Sequence, residues 1–159
     1  MNSNKGLNFR VEQSASNDTD TEAFFKLAKS YYTDRQELRG YNELLAEIAL
    51  YDTEAWLSKM TFYQAYSDDV LCGIAMAYQL GSVIKIPIII VASGFREIGI
   101  ADYMFPVILK SKQFETAITF ESQVLPGDRS AKNFFEQHHG KTRMLIVQGN
   151  ILDAKDAEN

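Results

Sequence analysis

Arg96, Gly99 and Ala101 carry the most telling spacing in this sequence. An apolar run at residues 86–91 stops at the small-residue turn Ala92-Ser93-Gly94. The chain then passes through Phe95-Arg96-Glu97-Ile98-Gly99-Ile100-Ala101 into a helix-like segment. Glycine and alanine at these positions let backbone N–H groups approach a ligand with no large side chain in the way. The helix N-terminus adds unpaired donors and a partial positive charge. Such a turn is chemically suited to an anion of the pyrophosphate type.

The elements that must position this turn follow from hydrophobic periodicity. Residues 7–12 alternate apolar and polar and read as a half-buried strand. Thr19 or Asp20 caps a helix bearing Phe24, Phe25, Leu27 and Ala28. A second helix is expected over 42–57, with Leu44, Leu45, Ile48 and Trp56 at helical spacing. Three strands follow at 61–66, 70–80 and 83–91, joined by turns at 67–69 and 81–82. Pro87 cannot donate to a ladder, so a bulge or splay is expected there. A helix is expected over 98–111, with Pro106 forcing either a kink or a late start. A strand at 116–124, a turn at 125–127, and a helix from an Asp128 cap to His139, ended by Gly140, come next. A last strand is expected at 142–148, and the acidic tail from 153 to 159 is expected to fray. The order is β-α-α-β-β-β-α-β-α-β.

At 159 residues the chain is expected to form a single domain able to bury a real core. A net charge of −5 without a basic stripe disfavours direct nucleic-acid binding. Lys110, Lys112, Arg129, Lys132, Lys141 and Arg143 do gather basic charge late in the chain, as a phosphate contact or as a solvated surface. The single cysteine, Cys72, excludes an internal disulfide and reads as a small buried hydrophobe. His138 and His139 are adjacent and cannot share a helix face, so no metal site is expected. No run approaches the ~18–20 apolar residues of a membrane span. The first residues carry no apolar signal region, which points to the cytoplasm.

The segment 91–101 resembles the cofactor-binding motif of the GNAT superfamily of N-acetyltransferases, [Arg/Gln]-x-x-Gly-x-[Gly/Ala], matched at Arg96, Gly99 and Ala101. The order of elements resembles that fold as well, over roughly residues 7–148. The resemblance implies an α/β (α+β) fold with a mixed, mostly antiparallel central sheet and about four flanking helices, its final hairpin shortened. It implies that acetyl-CoA is held by Val91, Ala92, Ser93, Arg96, Glu97, Ile98, Gly99, Ile100 and Ala101, with the strands before and after the cofactor helix splayed around the pantetheine arm. It implies transfer of an acyl group to an amine, a small molecule or a protein, with Tyr31, Tyr32 and Tyr41 on the acceptor side.

Three departures qualify the chemistry. The family's cap asparagine is Asp128, its helix tyrosine falls at Phe135, and its Gly-Phe pair becomes Gly140-Lys141. Phenylalanine cannot protonate a departing thiolate, and the strand 83–91 carries no acid to serve as a base. Glu121, Tyr78 and Tyr103 are the candidate substitutes, and Ser130 is a candidate cofactor contact, each also readable as an ordinary surface or packing residue. The catalytic residues are therefore unassigned. The competing reading is a catalytically degenerate GNAT-fold interaction or structural protein, such as a bacteriophage virion component. An unrelated α/β ligand-binding domain is the third. A shortened end leaves a sheet edge to be covered, which makes a homodimer an expectation.

Overall fold

The computed structural model describes residues 8–96 and 98–156; residues 1–7, Glu97 and residues 157–159, on which some of the expectations above fall, lie outside it. The chain divides into two compact units, one ending at Asp128 and one beginning at Arg129.

The first unit contains β1 (Phe9–Ala15), α1 (Thr21–Thr33), α2 (Tyr41–Tyr51), α3 (Glu54–Leu57), β2 (Thr61–Ser67), β3 (Val70–Leu80), β4 (Val83–Val91), α4 (Ile100–Leu109) and β5 (Thr119–Glu121). The five strands form one sheet in the order β1-β2-β3-β4-β5, antiparallel except for the parallel β4–β5 pair. Asp20 caps α1, its carboxylate accepting from Ala23 N–H at 3.0 Å. Phe24, Ala28 and Tyr32 recur every four residues and are buried along one stripe of α1. The expected helix 42–57 is instead two helices. Thr53 is extended and its hydroxyl donates to the Leu50 carbonyl at 2.7 Å, so a local bond replaces helix continuation.

One face of the sheet, bearing Phe62, Ile74, Met76, Ile88 and Ile90, packs on residues of α1 and α2. The other face meets α4. A Cβ on Gly73 would lie 2.9 Å from Met104 Sδ and 3.1 Å from Ile100 Cγ2, so α4 sits directly over β3 there. Pro87 produces the expected bulge: Met76 pairs with Ile88, but Tyr78 pairs with Lys85. Two steps along β3 thus oppose three along β4, which brings Lys85 onto the same face as Ile88 and Ile90. Pro106 lies inside α4; the helix runs through it, and its carbonyl accepts from Lys110 N–H at 2.9 Å.

β5 is much shorter than the expected 116–124. Ala117 N–H closes a turn on Phe114 O, and after Glu121 the Ser122 hydroxyl, not a backbone group, reaches β4.

The second unit holds α5 (Arg129–Gln137) and α6 (Ile151–Asp156). His139, not Gly140, takes the left-handed position after α5 (φ 70°). His139 N–H donates to Glu136 O, and Gly140 N–H to Phe135 O at 2.7 Å, the paired bonds of a Schellman ending. Gly140 remains necessary because a Cβ there would lie 2.8 Å from Phe135 O. The expected strand 142–148 does not form: residues 141–150 are irregular and exposed. A strand exists only as a pair, and this run has no ladder partner among the described residues. Nor is the tail frayed from residue 153, because Asn150 accepts from Leu152 and Asp153 N–H and starts α6. There are therefore six helices among the described residues where about four were expected.

Candidate functional site

The turn after β4 is built as the sequence requires. Ala92 N–H continues the ladder to Cys72 O at 2.8 Å, and Phe95 N–H closes a turn on Ala92 O at 3.1 Å. Gly99 precedes α4 with φ +87°, a conformation that L side chains rarely adopt, and no atom lies within 4 Å of the position its Cβ would occupy. Its glycine is thus demanded by the backbone and leaves open space in front of the helix. Ile100, Met104 and Ile108 are buried and fix α4 on the sheet. Gly99, at the N-cap, has no side chain with which to cap α4, and the first-turn N–H groups have no acceptors within the helix. Val91 is buried, Ser93 and Ile98 are exposed, and Ala92 and Ala101 are half-buried around the same turn.

β4 outruns its parallel partner before it reaches this turn. The β4–β5 pairing stops at Lys85 opposite Glu121. The Ser122 hydroxyl donates to Ile86 O at 2.7 Å. Beyond that link, residues 87–91 run on without a strand partner on the β5 side among the described residues. This is the splay expected around residues 87–94.

Arg96 reaches back from the turn. Its Nε–H donates to Val91 O at 3.3 Å, and its Nη2 lies 3.7 Å from Asp34 Oδ2. Its guanidinium sits 5.2 Å from the Tyr31 ring centroid, while Arg35 covers Tyr31 at 3.6 Å. Arg35 in turn donates to Asp128 at 2.8 Å and to the Tyr31 carbonyl at 3.2 Å. Burial raises the Tyr31 hydroxyl above its ordinary range, and Asp128 adds to this against the opposing arginines. Tyr31 therefore stays neutral and serves as a cation–π platform. Sequence reasoning placed Tyr31 on the acceptor side but missed Asp34 and Arg35, which look like ordinary loop charges.

Where the β4–β5 pairing ends, Glu121 pairs with Lys85. Tyr78 lies edge-on to Trp56 at 5.5 Å, and Trp56 to Tyr51 at 5.3 Å. The Tyr51 hydroxyl donates to Glu47 at 2.9 Å. Burial pushes Tyr78 up; Lys85 opposes this, while Glu47 and Glu121 reinforce it. Of the candidate substitutes, Tyr78 and Glu121 thus share one neighbourhood with Lys85. Tyr103 does not: it packs edge-on against Phe9 of β1, the far edge of the sheet. Ser130 and Phe135 belong to α5 in the second unit. Phe135 lies edge-on to Phe134 at 5.1 Å. No helix among the described residues is long and apolar enough to cross a membrane.

No family model matches the sequence, and no curated protein matches it. Solved structures do. A ribosomal-protein-alanine N-acetyltransferase from Brucella melitensis biovar Abortus 2308 is similar with a TM-score of 0.66 at 16% identity, over 90% of this chain and 100% of that one. The aminoglycoside N-acetyltransferase AAC(6′)-Iy in complex with CoA gives 0.63 at 17% identity, over 92% and 97%. The aminoglycoside acetyltransferase meta-AAC0020 from an uncultured soil metagenomic sample, in complex with sisomicin, gives 0.61 at 14%, over 89% and 94%. With the strand order, the β4–β5 splay and the Gly99 turn on the same scaffold, the chain carries the GNAT acetyltransferase fold.

Proposed function

We propose that the chain is an acetyl-CoA-dependent N-acetyltransferase acting on an amine. The observation that carries this reading is the coincidence of two features: β4 loses its β5 partner after Lys85, and the same strand ends at the turn in which Gly99, with φ +87°, leads into the first turn of α4. The open space at Gly99 and the backbone donors of the first turn of α4 fit a pyrophosphate. Arg96 adds a cation within reach of that turn. A similar structure, AAC(6′)-Iy, was solved with CoA, which supports the same ligand here. When bound, acetyl-CoA would supply an activated acyl thioester. The residues of this chain would hold it: Val91, Ala92 and Ser93 along the pantetheine side, and Arg96 and residues 98–101 at the phosphates. Glu97 lies outside the described residues and stays a candidate by sequence alone.

Calorimetric titration with acetyl-CoA, and with desulfo-CoA as an unreactive comparison, tests the reading. Saturable micromolar binding is expected, abolished by Gly99→Glu, which fills the cradle with a carboxylate. Gly99→Ala carries similar backbone strain without that charge and should retain weakened binding. No binding at millimolar ligand from a folded sample would overturn the proposal. Binding without turnover across an amine panel would instead favour the non-catalytic interaction protein.

A further inference from the structure

Phe135 has no proton to give and β4 carries no acid, so neither position serves a proton transfer in this chain. The sheet supplies a charged pair elsewhere. Lys85 and Glu121 face each other on the last rung of the β4–β5 ladder, and the Lys85 ammonium donates to the Glu121 carboxylate across the two strands. Beyond that rung the Ser122 hydroxyl reaches back to Ile86 O. The bulge between the Met76 and Tyr78 pairings turns Lys85 to the face that carries Ile88 and Ile90. Lys85 is 30% exposed and Glu121 49%, so the pair is partly drawn out of water and still reachable.

Its distance from the Gly99 turn matches the length of CoA. From Val91, where β4 ends, back to Lys85 is six steps, roughly 20 Å at ~3.3 Å per residue. About a dozen bonds separate the pyrophosphate of CoA from its sulfur, roughly 15 Å at the ~3.5 Å per three bonds of an extended chain. The difference is about what the four-carbon stem of a lysine spans.

We propose that Lys85 protonates the departing sulfur in the acyl transfer proposed above, on which this assignment rests, and that Glu121 is its proton partner. As the amine nitrogen bonds to the acyl carbon, the carbon–sulfur bond breaks and its electron pair stays with sulfur. Lys85 gives the sulfur a proton, and Glu121 takes the proton that the amine nitrogen sheds. That proton then crosses to Lys85 along their hydrogen bond, and both residues end in the state in which they began. The neighbouring charges lie on three other elements. Tyr78, which pairs with Lys85 in the sheet, feels Lys85, Glu121 and Glu47 of α2. Glu47 accepts from the Tyr51 hydroxyl, and Lys59 lies 4.9 Å from the Trp56 ring centroid.

The test needs no acceptor amine. CoA carrying a 13C label beside its sulfur is titrated by NMR against excess full-length protein, at a concentration that calorimetry shows to be saturating for each variant. The bound thiol is expected to ionise about one pH unit below that of free CoA, because an adjacent ammonium favours the thiolate. Lys85→Met should remove the shift, and Lys85→Arg should keep it. Glu121→Gln should deepen it, since the ammonium then faces no carboxylate. A cross-strand pair that serves only the sheet leaves the thiol unmoved. A bound thiol that titrates as in free CoA, or a shift that persists in Lys85→Met, would overturn the assignment and leave CoA binding in place. Absence of CoA binding in the calorimeter would remove the acyl-transfer reading and the assignment together.

Discussion

The β3–β4 hairpin and the run at 142–148 are both apolar, and both read as strands. Only the hairpin becomes one. β4 has β3 along its length and β5 along its first residues, and Ile84, Ile86, Ile88 and Ile90 are all buried. The run at 142–148 has no strand beside it among the described residues, and its apolar side chains stay in solvent. The difference teaches that apolar patterning gives only the capacity for a strand. The ladder partner decides whether that capacity is used, because unpaired backbone groups cannot be buried.

Truncation in the two regions should break or confirm this contrast most sharply. Phe62 is fully buried in β2 and lies edge-on to Phe24 at 5.0 Å. Phe62→Ala is expected to cost about 3–5 kcal/mol in urea unfolding. Met144→Ala, at a side chain 80% exposed, should change the stability by less than about 0.5 kcal/mol. A large loss there would mean that the run is buried within its own chain.

The next effect lies at the end of the first unit. The Arg35–Asp128 pair is largely removed from solvent, with side chains 13% and 8% exposed. Asp128→Ala leaves the Arg35 charge against the Tyr31 ring without its carboxylate. Loss of about 3 kcal/mol is expected, because removing one member of a buried pair strands the other. Arg35→Met together with Asp128→Ala should recover part of it, measured as the coupling in a double-mutant cycle. Absence of coupling would place Asp128 among solvated residues, against its 8% exposure.

Much of the fold was legible, for identifiable reasons. Asp68 and Asp69 both adopt positive φ, as a two-residue hairpin turn demands, and the strands on either side fell where alternation put them. Pro87 announced the bulge because it has no N–H to give. Gly99 announced the turn because its backbone conformation is nearly closed to other residues. What escaped was decided at a distance. The break between α2 and α3 depends on a Thr53 hydroxyl competing with the helix, and the length of β5 on the Ser122 hydroxyl taking the Ile86 carbonyl where a ladder would continue. The Tyr31–Arg35–Arg96 stack joins residues 61 positions apart in sequence, from Arg35 to Arg96, and has no local signature.

Alkaline pH sharpens the same contrast, since the second unit contains no tyrosine. Tyr63 is fully buried, and burial pushes its hydroxyl up to about 12, while its bond with Ser111 pulls the other way. The fold therefore prefers the neutral phenol. Its contribution is complete below the unfolded value near 10 and is lost as pH rises through 12. The loss is about 2–3 kcal/mol, at 1.36 kcal/mol per pH unit. Unfolding midpoints between pH 9 and 12, with ultraviolet absorbance following phenolate, should fall together; Tyr63→Phe should flatten the slope. An unchanged slope in that variant would show that other buried tyrosines carry the effect.

The smallest expected effect on stability falls at the candidate site, where it separates binding from folding. Asp34 and Arg96 are 3.7 Å apart, and their side chains are 61% and 37% exposed, so water screens the pair. Asp34→Asn should shift the unfolding free energy by less than about 0.5 kcal/mol. Under the proposed acetyl-CoA reading the same substitution should strengthen ligand binding, by roughly two- to fivefold at low salt. A phosphate near Arg96 competes with the Asp34 carboxylate for one guanidinium and is repelled by that carboxylate, and both penalties vanish in the amide. Added salt should shrink the gain, because the interaction is exposed. In an Arg96→Ala background, Asp34→Asn must then lose the part of its gain that comes from freeing the guanidinium. If Asp34→Asn leaves affinity unchanged while Arg96→Ala weakens it, Arg96 acts through its bond to Val91 O, holding the turn and not the phosphate.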